Sequence, residues 1–232
     1  GLKRDLLICL QMLDRNDDSD FTLMQEDFSN EITLPSLLLG REQEKKDLLD
    51  LYQQIGTGKL GVAYITGLSG IGKSRLVQEL EVPILMRHGL FVSGKYNQFS
   101  KHQPYATIAQ AMGQLIRTIL TETEAHLQSW KNTILNVVGI NGQLLITVIP
   151  ELSLLIGDQP TVNSLPPAAA RNRFNDLFCR FMNCLATKDH PLVLFIDDLQ
   201  WCDDATLDLL DKLVAHPDRH PFLLLILAFR NN

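Results

Sequence analysis

The chain has 232 residues, with 21 Lys or Arg against 27 Asp or Glu, for a formal net charge of −6. Its 45% hydrophobic content supplies a buried core, and 21% charged residues at so small a net charge exclude a self-repelling disordered chain. The acidic balance speaks against non-specific nucleic-acid binding, which needs a basic field, and 14 Gly with 10 Pro exclude a collagen-like or linker-like protein.

In chain order, Leu2, Leu6, Leu10 and Leu13 fall close to one helical face, so residues 2–13 read as an amphipathic helix and not as a signal peptide. The acidic stretch Asp14–Asp20 ends it, and Phe21–Pro35 reads as an irregular linker. Residues 1–35 are therefore expected to form a linker segment with an N-terminal helix, and 36–232 the folded core. The initial Gly in place of Met suggests a piece of a longer protein.

From Glu42, Leu48, Tyr52 and Ile55 share a helical face that Gly56-Thr57-Gly58 closes. Gly61–Thr66 reads as a short buried strand entering a Gly-rich turn. A helix is expected from about Lys73, kinked or split at Pro83. Leu90–Ser93, Leu192–Ile196 and Phe222–Phe229 read as three more strands, the last two separated by the amphipathic helix DATLDLLDKLVAH. Strands alternating with helices predict an α/β fold with a parallel sheet. The long stretch 95–190 between strands 2 and 3 carries helical signals: Tyr105–Thr121 is periodic, and Thr121 with Glu124 has capping-box spacing. Arg171–Leu185 aligns Phe174, Leu177, Phe178, Phe181 and Leu185 behind Pro166-Pro167. A helical insertion on one side of the sheet is expected.

Residues 67–74 read GLSGIGKS and fit G-x-x-x-x-G-K-[ST], a phosphate-binding loop. A triphosphate needs several donors converging on its oxygens. Gly67, Gly70 and Gly72 can turn consecutive amides inward, a geometry that a Cβ hinders. Lys73 carries charge to the β- and γ-phosphates, Ser74 offers a hydroxyl to Mg²⁺, and the following helix adds its positive end. The candidate nucleotide-binding set is Gly67, Ser69, Gly70, Ile71, Gly72, Lys73, Ser74 and Arg75. The bland alternative is a chance match in a turn, but the strand before it and the helix after it supply the context the motif requires.

LVLFIDDLQW at 192–201 ends an apolar strand on acids, which places carboxylates at the carboxyl edge of the sheet. Asp197 is expected to hold Mg²⁺ with Ser74, and Asp198 to orient or deprotonate the attacking water. Alternatively one or both of them are only helix N-terminal caps, a task that Asp203 or Asp204 can perform equally well. Arg230, just past the fourth strand, is expected to sense the γ-phosphate. No NKxD-type guanine element occurs, so ATP or ADP is the expected nucleotide. Cys179, Cys184 and His190 have the wrong spacing for two metal ligands on one helix face, and Cys202 lacks neighbours that would lower its pKa. The scattered cysteines and the lack of an apolar run of ~20 residues point to a reduced, cytoplasmic chain with no membrane span in this segment.

LLLGRE at 37–42, GLSGIGKSRLVQEL at 67–80, GKYNQF at 94–99, PELSLLIG at 150–157 and LFIDDLQWCDDATL at 194–207 together resemble the ATPase module of STAND-type, AAA+-related signalling proteins. The nearest likeness is to large bacterial, often cyanobacterial, hybrid kinases, in which the module lies between a serine/threonine kinase-like domain and a sensory, histidine-kinase region. The resemblance implies a three-layer P-loop NTPase with sheet order 2-3-4-1, lacking the lid subdomain. It also implies Gly40 and Arg41 near the adenine or ribose, Asp197 on Mg²⁺, Asp198 as catalytic acid and Arg230 as sensor. Neighbouring kinase and sensor domains and self-association in the full-length protein follow as implied partners. The resulting expectation is a slowly hydrolysing ATP switch in which Lys73, Asp198 and Arg230 act on the phosphates. The alternatives are a nucleotide-gated scaffold without useful hydrolysis and a small-molecule kinase.

Overall fold

The structure, a computed structural model, describes Leu10, Met12 and residues 40–98 and 103–231. The chain divides into two units, Gly1–Leu37 and Leu38–Asn232, and the second carries every element that follows. Of the helix expected over residues 2–13, Leu10 and Met12 are helical. The rest of it, and the linker expected to Pro35, lie outside the described residues.

Helix α1 (Glu42–Ile55) buries Leu48, Tyr52 and Ile55 and carries Glu42 and Glu44 in its first turn, where acids suit the helix dipole. Strand β1 (Gly61–Thr66) leads through the glycine turn to α2 (Lys73–Gln78) and α3 (Glu81–Leu85). The predicted long helix is thus split, and upstream of Pro83. Proline has no N–H to give the carbonyl of Glu79, so the hydrogen-bond ladder fails one turn before the ring. Strand β2 (Leu90–Lys95) and strand β3 (Leu192–Asp197) each run further than the sequence pattern indicates, through Lys95 and Asp197.

Between them lie α4 (Ala106–Ile119), α5 (Glu124–Val138), α6 (Gly142–Val148), α7 (Leu152–Ile156) and α8 (Pro167–Leu185). The predicted capping box is corrected. Helix α5 is entered through Thr123, and the Thr121 hydroxyl donates instead to the Thr118 carbonyl at 2.7 Å, closing the turn after α4. Pro167 occupies the first position of α8, where a missing N–H costs nothing. Helix α9 (Asp204–Ala215) and strand β4 (Leu223–Phe229) complete the unit.

The four strands are parallel in the order β1-β4-β3-β2, which is 2-3-4-1 read from the other edge. Strand β4, and β3 up to Ile196, are apolar because both of their faces are covered, and the pleat sorts their side chains. Val193, Phe195, Leu224, Ile226 and Ala228 pack with α1, α2 and α3 in one core. Leu192, Leu194, Ile196, Leu223, Leu225 and Leu227 pack with the insertion helices and α9 in the other. This makes three layers, with the insertion on one face.

The same alternation positions the functional groups. Lys95 on β2, Asp197 on β3 and Arg230 just past β4 each follow the residues that face α1–α3. The pleat therefore delivers three charged groups to one face of the sheet rim, beside the N-terminus of α2.

Candidate functional site

The turn between β1 and α2 needs backbone that side chains resist: Gly70 and Gly72 have φ of 78° and 94°. Lys73 follows and is buried, with its Nζ donating to the carbonyls of Gly67 at 2.8 Å and Leu68 at 2.9 Å. The lysine thus braces the loop from within and holds its ammonium at the loop's centre. Helix α2 spans only six residues, so the turn offers anions its local N–H donors and the lysine charge more than a long macrodipole.

Across the rim, the Ser74 hydroxyl donates to Asp197 Oδ2 at 2.6 Å. Asp197 Oδ1 accepts the N–H of Asp198 at 2.9 Å, which fixes the carboxylate plane. Asp198 sits in the left-handed region (φ 56°), a conformation that Asp tolerates better than most residues but still at a cost. The turn aims its side chain along the rim, where Oδ1 accepts from Gln200 Nε2 at 2.8 Å and from Arg230 Nε at 3.2 Å. Gln200 Oε1 in turn accepts the N–H of Arg230 at 3.2 Å. Lys95 Nζ lies 3.4 Å from Asp197 Oδ2 and 3.5 Å from Asp198 Oδ2.

Burial alone would raise the Asp198 pKa. The Gln200 hydrogen bond and the charges of Arg230 and Lys95 outweigh it and hold the carboxyl below its ordinary value. Asp198 is accordingly an ionised hydrogen-bond acceptor and a poor proton acceptor.

Ser69, Gly70, Gly72, Lys73, Ser74, Arg75, Asp197, Asp198 and Arg230 line one cleft of about 260 Å³, with Lys95 as a further wall residue. The remaining predicted residues stand beside it. Arg41 Nη2 donates to the Ile71 carbonyl at 3.3 Å, so the segment preceding α1 supports the outer side of the loop. Gly40 is left-handed at φ 79° and gives its N–H to Glu42 Oε1 at 3.4 Å. Gly40, Arg41, Gly67 and Ile71 are not among the residues lining the cleft.

Two rim residues were missed in the sequence reading. Lys95 could have been found by extending β2 two residues along its alternation. Gln200 has no sequence signal beyond its place after the acid pair. The capping role falls to Asp203, which accepts the Thr206 N–H at 2.8 Å and the Thr206 hydroxyl at 2.7 Å, leaving Asp197 and Asp198 to the cleft. Cys184 donates to the Phe181 carbonyl, and burial pushes its thiol up to about 12 and those of Cys179 and Cys202 up to about 11.

The donor set fits a phosphate chain with a hard cation. Ser74 Oγ and the Asp197 carboxylate are oxygen ligands of the kind Mg²⁺ takes, and Lys73 with the glycine turn presents positive groups to anions.

Residues 37–226 match the family described as AAA ATPase domain. Hybrid signal transduction histidine kinase G of Dictyostelium discoideum is 32% identical over 198 residues, covering 84% of this chain and 6% of that protein. Histidine protein kinase 1 of Candida albicans is 24% identical over 191 residues, covering 76% of this chain and 8% of that protein. The chain therefore spans less than a tenth of either relative. Among solved structures, Cdc6p from Pyrobaculum aerophilum aligns over 87% of this chain and 42% of its own, at a TM-score of 0.49 and 14% identity. Among the described residues no helix is long and apolar enough to cross a membrane.

Proposed function

Because the chain belongs to the AAA ATPase domain family, we propose that it is an ATP-binding, slowly hydrolysing switch module of a larger signal-transduction protein. The observation that carries this reading is the 2.6 Å contact of Ser74 with Asp197 beside the Lys73 loop, which pairs a phosphate cradle with a cation-binding acid. Ser74 and Asp197 would hold Mg²⁺, and the metal when bound supplies charge neutralisation to the phosphates. Lys73 and the amides of the turn bind and orient the β- and γ-phosphates.

Asp198, ionised and weakly basic, orients the attacking water by accepting its hydrogen bond; in-line transfer needs positioning more than proton abstraction. Arg230 is shared between Asp198 and the approaching γ-phosphate. This gives two arrangements of one guanidinium, and nucleotide state selects between them.

Gln200 couples the two, because one amide contacts both the Asp198 carboxylate and the Arg230 backbone. Loss of the γ-phosphate returns Arg230 to its contact with Asp198. The relatives are histidine kinases, which supports a place beside kinase and sensor domains in a STAND-like arrangement, with self-association supplying groups that complete the site. Phosphate release measured against protein concentration tests this: specific activity is expected to be low and to rise with concentration. Brisk turnover independent of concentration contradicts it.

A further inference from the structure

Lys95 faces Asp197 directly across the β2–β3 register, and in parallel strands register partners project to the same face. Its ammonium touches both acids, and the Asp197 oxygen it approaches, Oδ2, is the one that accepts the Ser74 hydroxyl. The pairing is asymmetric. The Lys95 side chain is 67% exposed, while those of Asp197 and Asp198 are 6% and 11% exposed. A flexible ammonium thus closes two nearly buried carboxylates from the solvent side and can leave without unpacking any core.

Its root is held firmly. A Cβ at Gly94 would stand 2.7 Å from Thr107 Cγ2 and 3.1 Å from the Thr107 carbonyl oxygen, so β2 runs hard against α4 just before Lys95. The backbone is tightly packed while the charged tip is exposed to solvent.

We propose that Lys95 is a displaceable counter-ion for the acid pair. It neutralises Asp197 and Asp198 while phosphates enter, and gives up Asp197 Oδ2 when a divalent cation takes that oxygen with Ser74. Lys95 is thereby a positioning residue that sets how strictly nucleotide binding depends on metal. Without it, two carboxylates with buried stems face an incoming polyanion, a repulsion that Mg²⁺ cancels and that metal-free nucleotide meets in full. This inference rests on the phosphate-loop reading of residues 67–74.

The test is calorimetric ATP affinity in Mg²⁺ and in EDTA for the wild type, Lys95→Met and Lys95→Arg, with circular dichroism melts to establish folding. Lys95→Met is expected to weaken ATP binding about tenfold in EDTA and about twofold or less in Mg²⁺, and Lys95→Arg to restore the wild-type ratio. Equal losses in both buffers, or no loss in EDTA, overturn the proposal while leaving the phosphate loop intact. A folded wild type that binds ATP in neither buffer overturns the phosphate-loop reading itself, and this proposal with it.

Discussion

Ser74 and Asp197, 123 positions apart in the chain, meet in a 2.6 Å hydrogen bond at the sheet rim. Neither element alone makes this contact. It needs β4 between β1 and β3, the pleat that turns Asp197 toward α2, and a glycine turn tight enough to start α2 at the rim.

Asp198 separates a hydrolytic switch from a scaffold. Asp198→Asn keeps the shape and removes the charge that Arg230 and Lys95 neutralise. The switch reading expects phosphate release to fall to background while ATP affinity changes by no more than about threefold. Single-turnover release together with equilibrium binding checks this. Unchanged release in a variant that binds normally assigns the module to binding alone.

The neighbouring acid behaves differently. Asp203 caps α9, and its carboxylate also accepts from Tyr96 Oη and the Tyr105 N–H at 3.4 Å. Asp203→Ala is expected to cost about 2 kcal/mol, from the lost cap and the buried donors left unpaired. Asp204→Ala, on the exposed side of the same turn, is expected to cost well under half of that. Urea unfolding of the two variants checks the contrast. Equal stabilities would show that the cap does not carry the difference.

A histidine at the opposite end of the sheet gives the fold a pH dependence. His220 is buried just before β4, and Asn183 Nδ2 donates to the Arg219 carbonyl, so the Asn183 oxygen faces His220 Nδ1 at 2.8 Å and makes that nitrogen the donor. Burial first, then the nearby His216 and Arg219 charges, push its pKa below the ordinary 6.5. The fold therefore favours the neutral ring. This stabilisation is complete above the unfolded pKa and is lost as pH falls through the lower folded value. The melting temperature is expected to drop as pH falls below about 6.5, the ordinary histidine value, and to drop less in His220→Gln. Parallel melting curves for the two proteins would remove His220 as the cause.

Much of this was readable from residue order. The strands at Gly61–Thr66 and Leu192–Ile196 stand out as short, mostly apolar runs bounded by turn signals, and the glycine turn stands out because few other residues reach its φ values. The 2-3-4-1 order came from resemblance, since strand periodicity says nothing about which strand pairs with which. The Thr121 capping box misled because hydroxyls also close turns onto the carbonyl three residues back. Extending β2 along its alternation reaches Lys95, but its pairing with Asp197 lies in a register that local sequence does not encode. The resemblance implies Arg41 near the adenine or ribose; its side chain reaches the Ile71 carbonyl of the loop, a contact across 30 positions that a motif cannot reveal.

The most direct measurement is calorimetric titration of the chain with ATP in Mg²⁺, wild type against Lys73→Ala. The Lys73 ammonium, held at the centre of the loop by the Gly67 and Leu68 carbonyls, is the charge the phosphates meet first. The wild type is expected to bind at one site, and the variant about 10- to 100-fold more weakly, the worth of a hydrogen bond to a charged group. Undiminished affinity in a folded Lys73→Ala protein would contradict the account.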